Sequence, residues 1–361
     1  MRGWCIDNLC LCSRRLESSS TPCAPSDGNN LGGNVFQLDV VICTYNNASL
    51  LDRTLDFLGK QQVAPDVEWG VLIVDNNCTD STSDVIEKHL RSGRIPCLSR
   101  VVEPRQGLTP ARLCGVMKTS ADWLAFLDDD CLVSGNWIAH VCSFAQTHPT
   151  CGAFGGKVIP EWEHPPPAWL SKFGYCFAEQ DHGATAKQVP CLVGAGMVIN
   201  RAALCRSGWP DRQFLQDRIG HELVSGGDVE IALRLGALSS LWYTPECSIR
   251  HFIPSWRTSA EYLSKINREL GTSKLLGDSM LWSGCWIMFV VSWSFRTFRE
   301  LVRIALRQLR ATRHREATPE IAISATFIEG EWAGIRLLVS MDSELRRALV
   351  GCAKLETRTG S

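Results

Sequence analysis

The run Trp123-Leu124-Ala125-Phe126-Leu127 reads as a buried strand, and it ends in three consecutive acids, Asp128, Asp129 and Asp130. Adjacent carboxylates repel one another, so they must stay solvated or find a cation. A hard divalent ion such as Mg2+ or Mn2+, with oxygen ligands and a substrate's phosphates, is the natural partner; a solvated acidic turn is the plain alternative. Two other strand-like segments also end in polar residues suited to binding a ligand. Residues 38–43 run into Thr44-Tyr45-Asn46-Asn47, and residues 69–74 run into Asp75-Asn76-Asn77.

Helical patterns separate these strands. Leu51, Leu55 and Leu58 recur at spacings of four and three, which predicts a helix over 50–60 with one buried face. Asp80 or Ser81 can cap a second helix carrying Val85, Ile86 and Leu90. Residues 99–102 form a short strand, and Pro110 fits the first turn of a helix that reaches Lys118. This alternation implies an α/β fold with a mostly parallel, Rossmann-like sheet flanked by helices. Ligands bind such sheets beyond the carboxyl ends of the strands, where all three polar segments lie. No GxGxxG follows the first strand and no GxxxxGK[ST] occurs, which excludes a dinucleotide fingerprint and a Walker loop.

The second half reads differently. Residues 154–159 look like a strand entering a loop with Pro165, Pro166 and Pro167. Residues 191–200 form an apolar strand interrupted by Gly194 and Gly196; either a ligand approaches the backbone there or the strand bulges. Gly226-Gly227-Asp228-Val229-Glu230 opens a helix whose apolar residues include Ile231, Leu233 and Leu235. Residues 280–293 are almost wholly apolar, and Arg296, Arg299, Arg303, Arg307 and Arg310 then recur on one helix face. Such a tail suits an anionic membrane surface, as a re-entrant or surface-lying segment; a core helix beside a solvated basic helix is the alternative.

A net charge of -1 argues against nucleic-acid binding driven by overall charge. The 17 cysteines mostly sit singly in apolar runs, as Cys43, Cys114, Cys142, Cys191 and Cys285 do, which is the pattern of buried thiols in a reducing compartment. Cys5, Cys10, Cys12 and Cys23 have neither zinc spacing nor the flanks of a signal peptide. Residues 1–36, rich in Ser, Pro, Gly and Asn, are expected to be a disordered extension.

Six segments in order carry a resemblance. They are Val41-Ile42-Cys43-Thr44-Tyr45-Asn46, Val74-Asp75-Asn76-Asn77, Gln106-Gly107-Leu108 with Ala111-Arg112, Phe126 to Asp130, Gly227 to Glu230, and His251. Together they resemble the inverting, nucleotide-sugar-dependent glycosyltransferases of family 2, in particular members that assemble bacterial exopolysaccharide or hormogonium polysaccharide. The resemblance spans roughly residues 38–270. It implies a GT-A domain over 37–270, with a nucleotide-binding half (37–135), an acceptor-binding half (136–270) and a helical tail over 271–361. It further implies a nucleotide-diphosphate sugar donor, a glycan or lipid-linked acceptor and a Mg2+ or Mn2+ cofactor, on the cytoplasmic side.

By the same resemblance, Thr44, Tyr45, Asn46, Asp75, Arg112, Asp128 and Asp129 bind the nucleotide sugar. Asp130 and His251 hold the metal, and Asp228 is the catalytic base. Family members commonly carry Gly-Glu-Asp where this chain has Gly226-Gly227-Asp228, so one carboxylate is missing. Trp162, Trp169, Gly194, Ala195, Gly196 and Glu230 are candidates for the acceptor side. Each has a plainer reading: core packing for the tryptophans, a bulge for the glycines, a first-turn helix acid for Glu230, an ion pair for Arg112 and a structural role for His251. A catalytically silent GT-A binding subunit and a nucleotidyltransferase are the competing functions. Retention of Asp75, Asp130 and Asp228 disfavours the first. The absence of a Gly-rich basic loop after the first strand disfavours the second.

Overall fold

Strands β1 (Phe36–Thr44), β2 (Val67–Asp75), β3 (Leu98–Val102) and β4 (Trp123–Phe126) alternate with helices α1 (Ala48–Leu58), α2 (Thr82–Ser92) and α3 (Leu108–Lys118). Successive residues of β1 face opposite sides of the sheet, and both sides are apolar. Val40 and Ile42 pack with Leu51, Leu55 and Leu58 of α1, while Val41 packs with Ala111 and Val116 of α3. That two-sided burial selects a central parallel strand. β1 lies between β2 and β4 and is parallel to both. The register pairs Thr44 with Asp75, so the first two polar segments leave the sheet side by side.

The computed structural model of the chain describes residues 36–220, 223, 225–313 and 319–353. The extension expected over 1–36 therefore lies outside the described residues, except Phe36, which already belongs to β1. The rest of the fold comprises β5 (Cys131–Val133), α4 (Trp137–Thr147), β6 (Ala153–Gly155), β7 (Val158–Trp162), β8 (Lys187–Gln188), β9 (Met197–Asn200), α5 (Arg201–Arg206), α6 (Gly227–Leu238), β10 (Leu241–Tyr243) and β11 (Ile249–Ile253). The large sheet has the order β3-β2-β1-β4-β9-β6-β10-β8, with β9 and β8 antiparallel to their neighbours. A small second sheet has the order β5-β11-β7, and its register sets His251 opposite Cys131, beside the acid triplet.

Two expectations for this half are corrected. Residues 154–159 are two strands in two different sheets, because the chain leaves the large sheet at Gly155 and enters the small one at Val158. In the 191–200 stretch only Met197–Asn200 is strand, and 191–196 is a loop.

Four helices follow: α7 (Ala260–Met280), α8 (Trp286–Arg313), α9 (Pro319–Ser340) and α10 (Ser343–Leu349). The apolar run 280–293 is thus not one element, since residues 281–285 interrupt it. Phe289 and Trp293 turn inward onto Leu275, Met280, Ile335 and Leu338, and Cys285 is exposed rather than buried. The boundary expected at 270/271 falls inside α7.

α7 and α9 cross closely. A side chain at Gly330 would overlap the carbonyl of Arg268, and one at Gly271 would overlap the carbonyl of Phe327. Asn267 Nδ2 donates to the Ile323 carbonyl at 2.6 Å within this crossing. Gly330→Ala should therefore destabilise the protein by about 1–3 kcal/mol in urea unfolding, although alanine is the better helix former. An unchanged or higher unfolding midpoint would contradict the close crossing.

Candidate active site

The site lies at the carboxyl ends of β1, β2 and β4. Asp75, buried at the end of β2, is held on both sides: Arg100 Nη2 lies 2.5 Å from its Oδ2, and the Cys78 amide donates to its Oδ1. Asn76 fastens the neighbouring loop, donating to the carbonyls of Glu103 and Arg105 and accepting from the Gly107 amide. Asn46 adopts φ 50° and accepts from the Thr79 amide at 2.7 Å, so Tyr45 and Asn46 form the lip beside Asp75.

The three consecutive acids have three different environments. Asp129 turns back into the protein, where Thr44 Oγ1 and Asn47 Nδ2 donate to its two oxygens at 2.7 and 2.8 Å. Burial and the adjacent Asp130 charge push its pKa up to about 7, against the lowering effect of those hydrogen bonds. It braces the end of β1 against the segment that follows β4.

Asp130 is buried, which would raise its pKa, but His251 and the guanidiniums of Arg257 and Arg218 hold it well below the carboxylate range. Its oxygens lie 3.3 Å from His251 Nε2 and 3.3 Å from Arg257 Nη1. His251 Nδ1 is 2.8 Å from the Phe177 carbonyl, which requires a proton on Nδ1 and turns Nε2 toward Asp130. Asp128 is partly open and its Oδ1 is 3.8 Å from Arg112 Nη2.

Among the described residues, the atoms of Asp128, Asp130 and Cys131 that could ligate an ion lie within 4.8 Å of one another. The two carboxylates are hard oxygen donors and fit Mg2+ or Mn2+. The Cys131 thiol does not suit such an ion, and burial raises its pKa well above normal.

Opposite the acids, Arg112 of α3 is buried among carboxylates. Its Nη1 lies 2.6 Å from Asp217 Oδ2. Burial alone would lower its pKa, but Asp217, Asp128 and Asp228 more than reverse that, so the guanidinium stays charged. Asp228, the second residue of α6, accepts from the Gly194 amide at 2.9 Å through Oδ2 and from the Val229 amide through Oδ1. Burial and the Asp217 charge raise its pKa; Arg112 and the two amides oppose this. A side-chain carbon at Gly194 would come within 2.9 Å of both Arg112 and Asp228. The glycine therefore permits a close approach of backbone to carboxylate, and Ala195 and Gly196 continue the same loop wall.

Asp217 was not singled out from the sequence. Its Oδ1 accepts from the amides of Gly226 and Gly227, capping α6, and its other oxygen pairs with Arg112. A side chain at Gly227 would overlap that carboxylate. A carboxylate from a preceding loop thus lies directly against the glycine at position 227. The Gly-Gly departure was the available signal. Arg257 and the exposed Trp256 were also missed, although a Trp-Arg pair five and six residues beyond His251 hints at them.

Three expected acceptor residues have partners within the fold. Glu230 is fully buried, accepts from the amides of Phe214 and Leu215 and pairs with Arg234, so it holds a loop. Trp162 packs edge-on against Phe177 and Trp169 against Phe173, both at the margin of an apolar cluster.

Residues 39–206 match the family model described as Glycosyl transferase family 2. The succinoglycan biosynthesis protein ExoM of Rhizobium meliloti is 30% identical over 133 residues, covering 35% of this chain and 42% of that protein. Validoxylamine A glucosyltransferase of Streptomyces hygroscopicus subsp. limoneus is 32% identical over 139 residues, covering 37% of this chain and 28% of that protein. The chain thus spans less than half the length of these relatives. The mannosyltransferase PcManGT from Pyrobaculum calidifontis, solved with GDP-Man and Mn2+, has a TM-score of 0.54 at 16% identity, covering 82% of this chain and 86% of that one. The shared fold is the GT-A arrangement.

The charges around Asp228 lead to a titration test. Carboxylate NMR should place its pKa above the ordinary value of about 4. Asp217→Asn removes a repulsive charge and leaves Arg112 less neutralised, so both effects should lower that pKa. A value that is unchanged or higher in the variant would show that Asp217 does not act on Asp228.

Proposed function

We propose, from the match of residues 39–206 to the Glycosyl transferase family 2 model, that the chain transfers a sugar from a nucleotide diphosphate to a hydroxyl of a glycan or lipid-linked acceptor during polysaccharide assembly. The transfer proceeds with inversion and uses Mg2+ or Mn2+. The observation that carries this reading is the separation of two carboxylate groups by Arg112: Asp128 and Asp130 on the strand-end side, Asp228 on the α6 side. The relatives named for succinoglycan biosynthesis and for glucosyl transfer support it, as does the Mn2+ and GDP-Man complex of the structural neighbour.

In this reading Tyr45, Asn46 and Asp75 line the nucleotide. Arg100, paired with Asp75, fixes the carboxylate in direction. Asp128 and Asp130 would hold the cation, with His251 Nε2 beside them. When bound, the cation offsets the negative charge that develops on the departing diphosphate. Arg257 and Arg112 add fixed positive charge around the same space, already oriented by their carboxylate partners.

Asp228 takes the proton of the acceptor hydroxyl as it attacks. Each of its oxygens keeps a lone pair after accepting one backbone amide. Burial and the Asp217 charge raise its pKa, which makes it a stronger base than an ordinary carboxylate. A diphosphate leaves without protonation, so the second carboxylic acid that glycoside hydrolysis requires has no counterpart here. One base and one in-line displacement give inversion.

Two variants separate the roles. Asp228→Asn should leave nucleotide-sugar affinity within about two-fold and lower turnover roughly 100-fold or more, because shape is kept and the base is lost. Asp130→Ala should weaken donor binding and turnover together, and added Mn2+ should not restore either. Calorimetry and nucleotide release across a donor panel report both quantities. Normal turnover by the asparagine variant would remove Asp228 as base.

A further inference from the structure

Helix α8 has two apolar faces, and only one is covered. Phe289, Trp293 and Thr297 are buried against the neighbouring helices. On the other side Ile287, Val291, Phe295, Phe298, Val302 and Leu306 are exposed, and Phe295 retains 69% of its accessible surface. At about 100° per residue these six fall within an arc of about 100° and extend roughly 28 Å along the helix. Soluble surfaces scatter single apolar residues, whereas a continuous stripe of this length marks a contact site.

The arginines occupy the border of this stripe. Arg296, Arg299 and Arg303 project between the exposed apolar face and the buried one. Arg296 stacks over Trp293 at 3.8 Å and lies 3.5 Å from Glu331, which fixes its stem along the helix. The lone acid of α8, Glu300, is paired with Arg303. The stripe therefore combines an apolar centre with a cationic edge and no unpaired anion of its own helix. No described helix is long and apolar enough to cross a membrane. A re-entrant segment also fails, because the run 280–293 is broken at 281–285 and half of its large side chains are packed inward.

We propose that α8 lies flat on an anionic lipid bilayer, with Val291, Phe295, Phe298 and Val302 among the acyl chains and Arg299 and Arg303 at the phosphates. The partner is assigned by charge complementarity. A helix parallel to the surface buries its apolar face at the depth where lysine and arginine stems reach the headgroups. The side chains of Arg307 and Arg310 lie outside the described part, and the assignment does not use them. It is independent of whether the chain transfers sugars.

The test is co-sedimentation of the full chain with phosphatidylcholine vesicles, with and without phosphatidylglycerol. The chain should pellet with the anionic vesicles, and added salt should weaken binding. Phe295→Ser/Phe298→Ser should bind them at least about ten-fold more weakly. Its thermal unfolding should be unchanged, because both side chains are exposed. Arg299→Gln/Arg303→Gln should retain the apolar face and lose the preference for anionic over neutral vesicles. The proposal is overturned if the unaltered chain stays in the supernatant with both vesicles, or if the serine variant binds as tightly as the unaltered chain. It is equally overturned if the stripe instead mediates a dimer, seen by light scattering, that the serine variant abolishes without any vesicle binding.

Discussion

One buried guanidinium makes the space beyond the strand ends habitable for acids. Arg112 sits within reach of Asp217, Asp128 and Asp228. Without it three carboxylates would face one another in a largely desolvated pocket, where like charges force protonation. Its position follows from packing: α3 rests on β1, with Ala111 and Val116 beside Val41, and that contact sends Arg112 toward the ends of β1 and β4. Asp217 then ties the guanidinium to the start of α6, and α6 presents Asp228. Strand end, helix and second-half loop are thus joined by a single charge.

Neighbouring acids take different roles because their surroundings differ. Asp129 is held by a hydroxyl and an amide and braces the backbone. Asp130 meets two cationic groups and stays ionised, while Asp128 remains partly open. Burial dominates the first and charge pairing the second. The same distinction separates Asp228 from Glu230 two residues later: one faces Gly194 at the pocket wall, the other is sealed against Phe214 and Arg234.

The first half of the fold was legible in the sequence because its strands are uniformly apolar and its helices keep a clear period. Thr44, Asp75 and the acid triplet therefore fell where the alternation placed them. The second half was less legible because its elements are short. Residues 154–159 change sheets within six positions, and nothing in an apolar run marks that crossing. Asp217 escaped notice because its role arises from a loop folding back onto Gly227, a contact with no periodicity. The arginines of α8 were visible as a face with apolar residues beside it, but which of those residues stay exposed was not. Two opposite apolar faces on one helix look alike until one of them is packed.

If Asp228 acts as the one base, the displacement at the sugar carbon is single, and its stereochemistry records this directly. Proton NMR of the glycoside formed from an α-linked nucleotide sugar should show the β anomer as the first product, before any spontaneous equilibration. Formation of the α product would require a second displacement or a front-face mechanism, and would contradict the assignment of Asp228 as the base that acts alone.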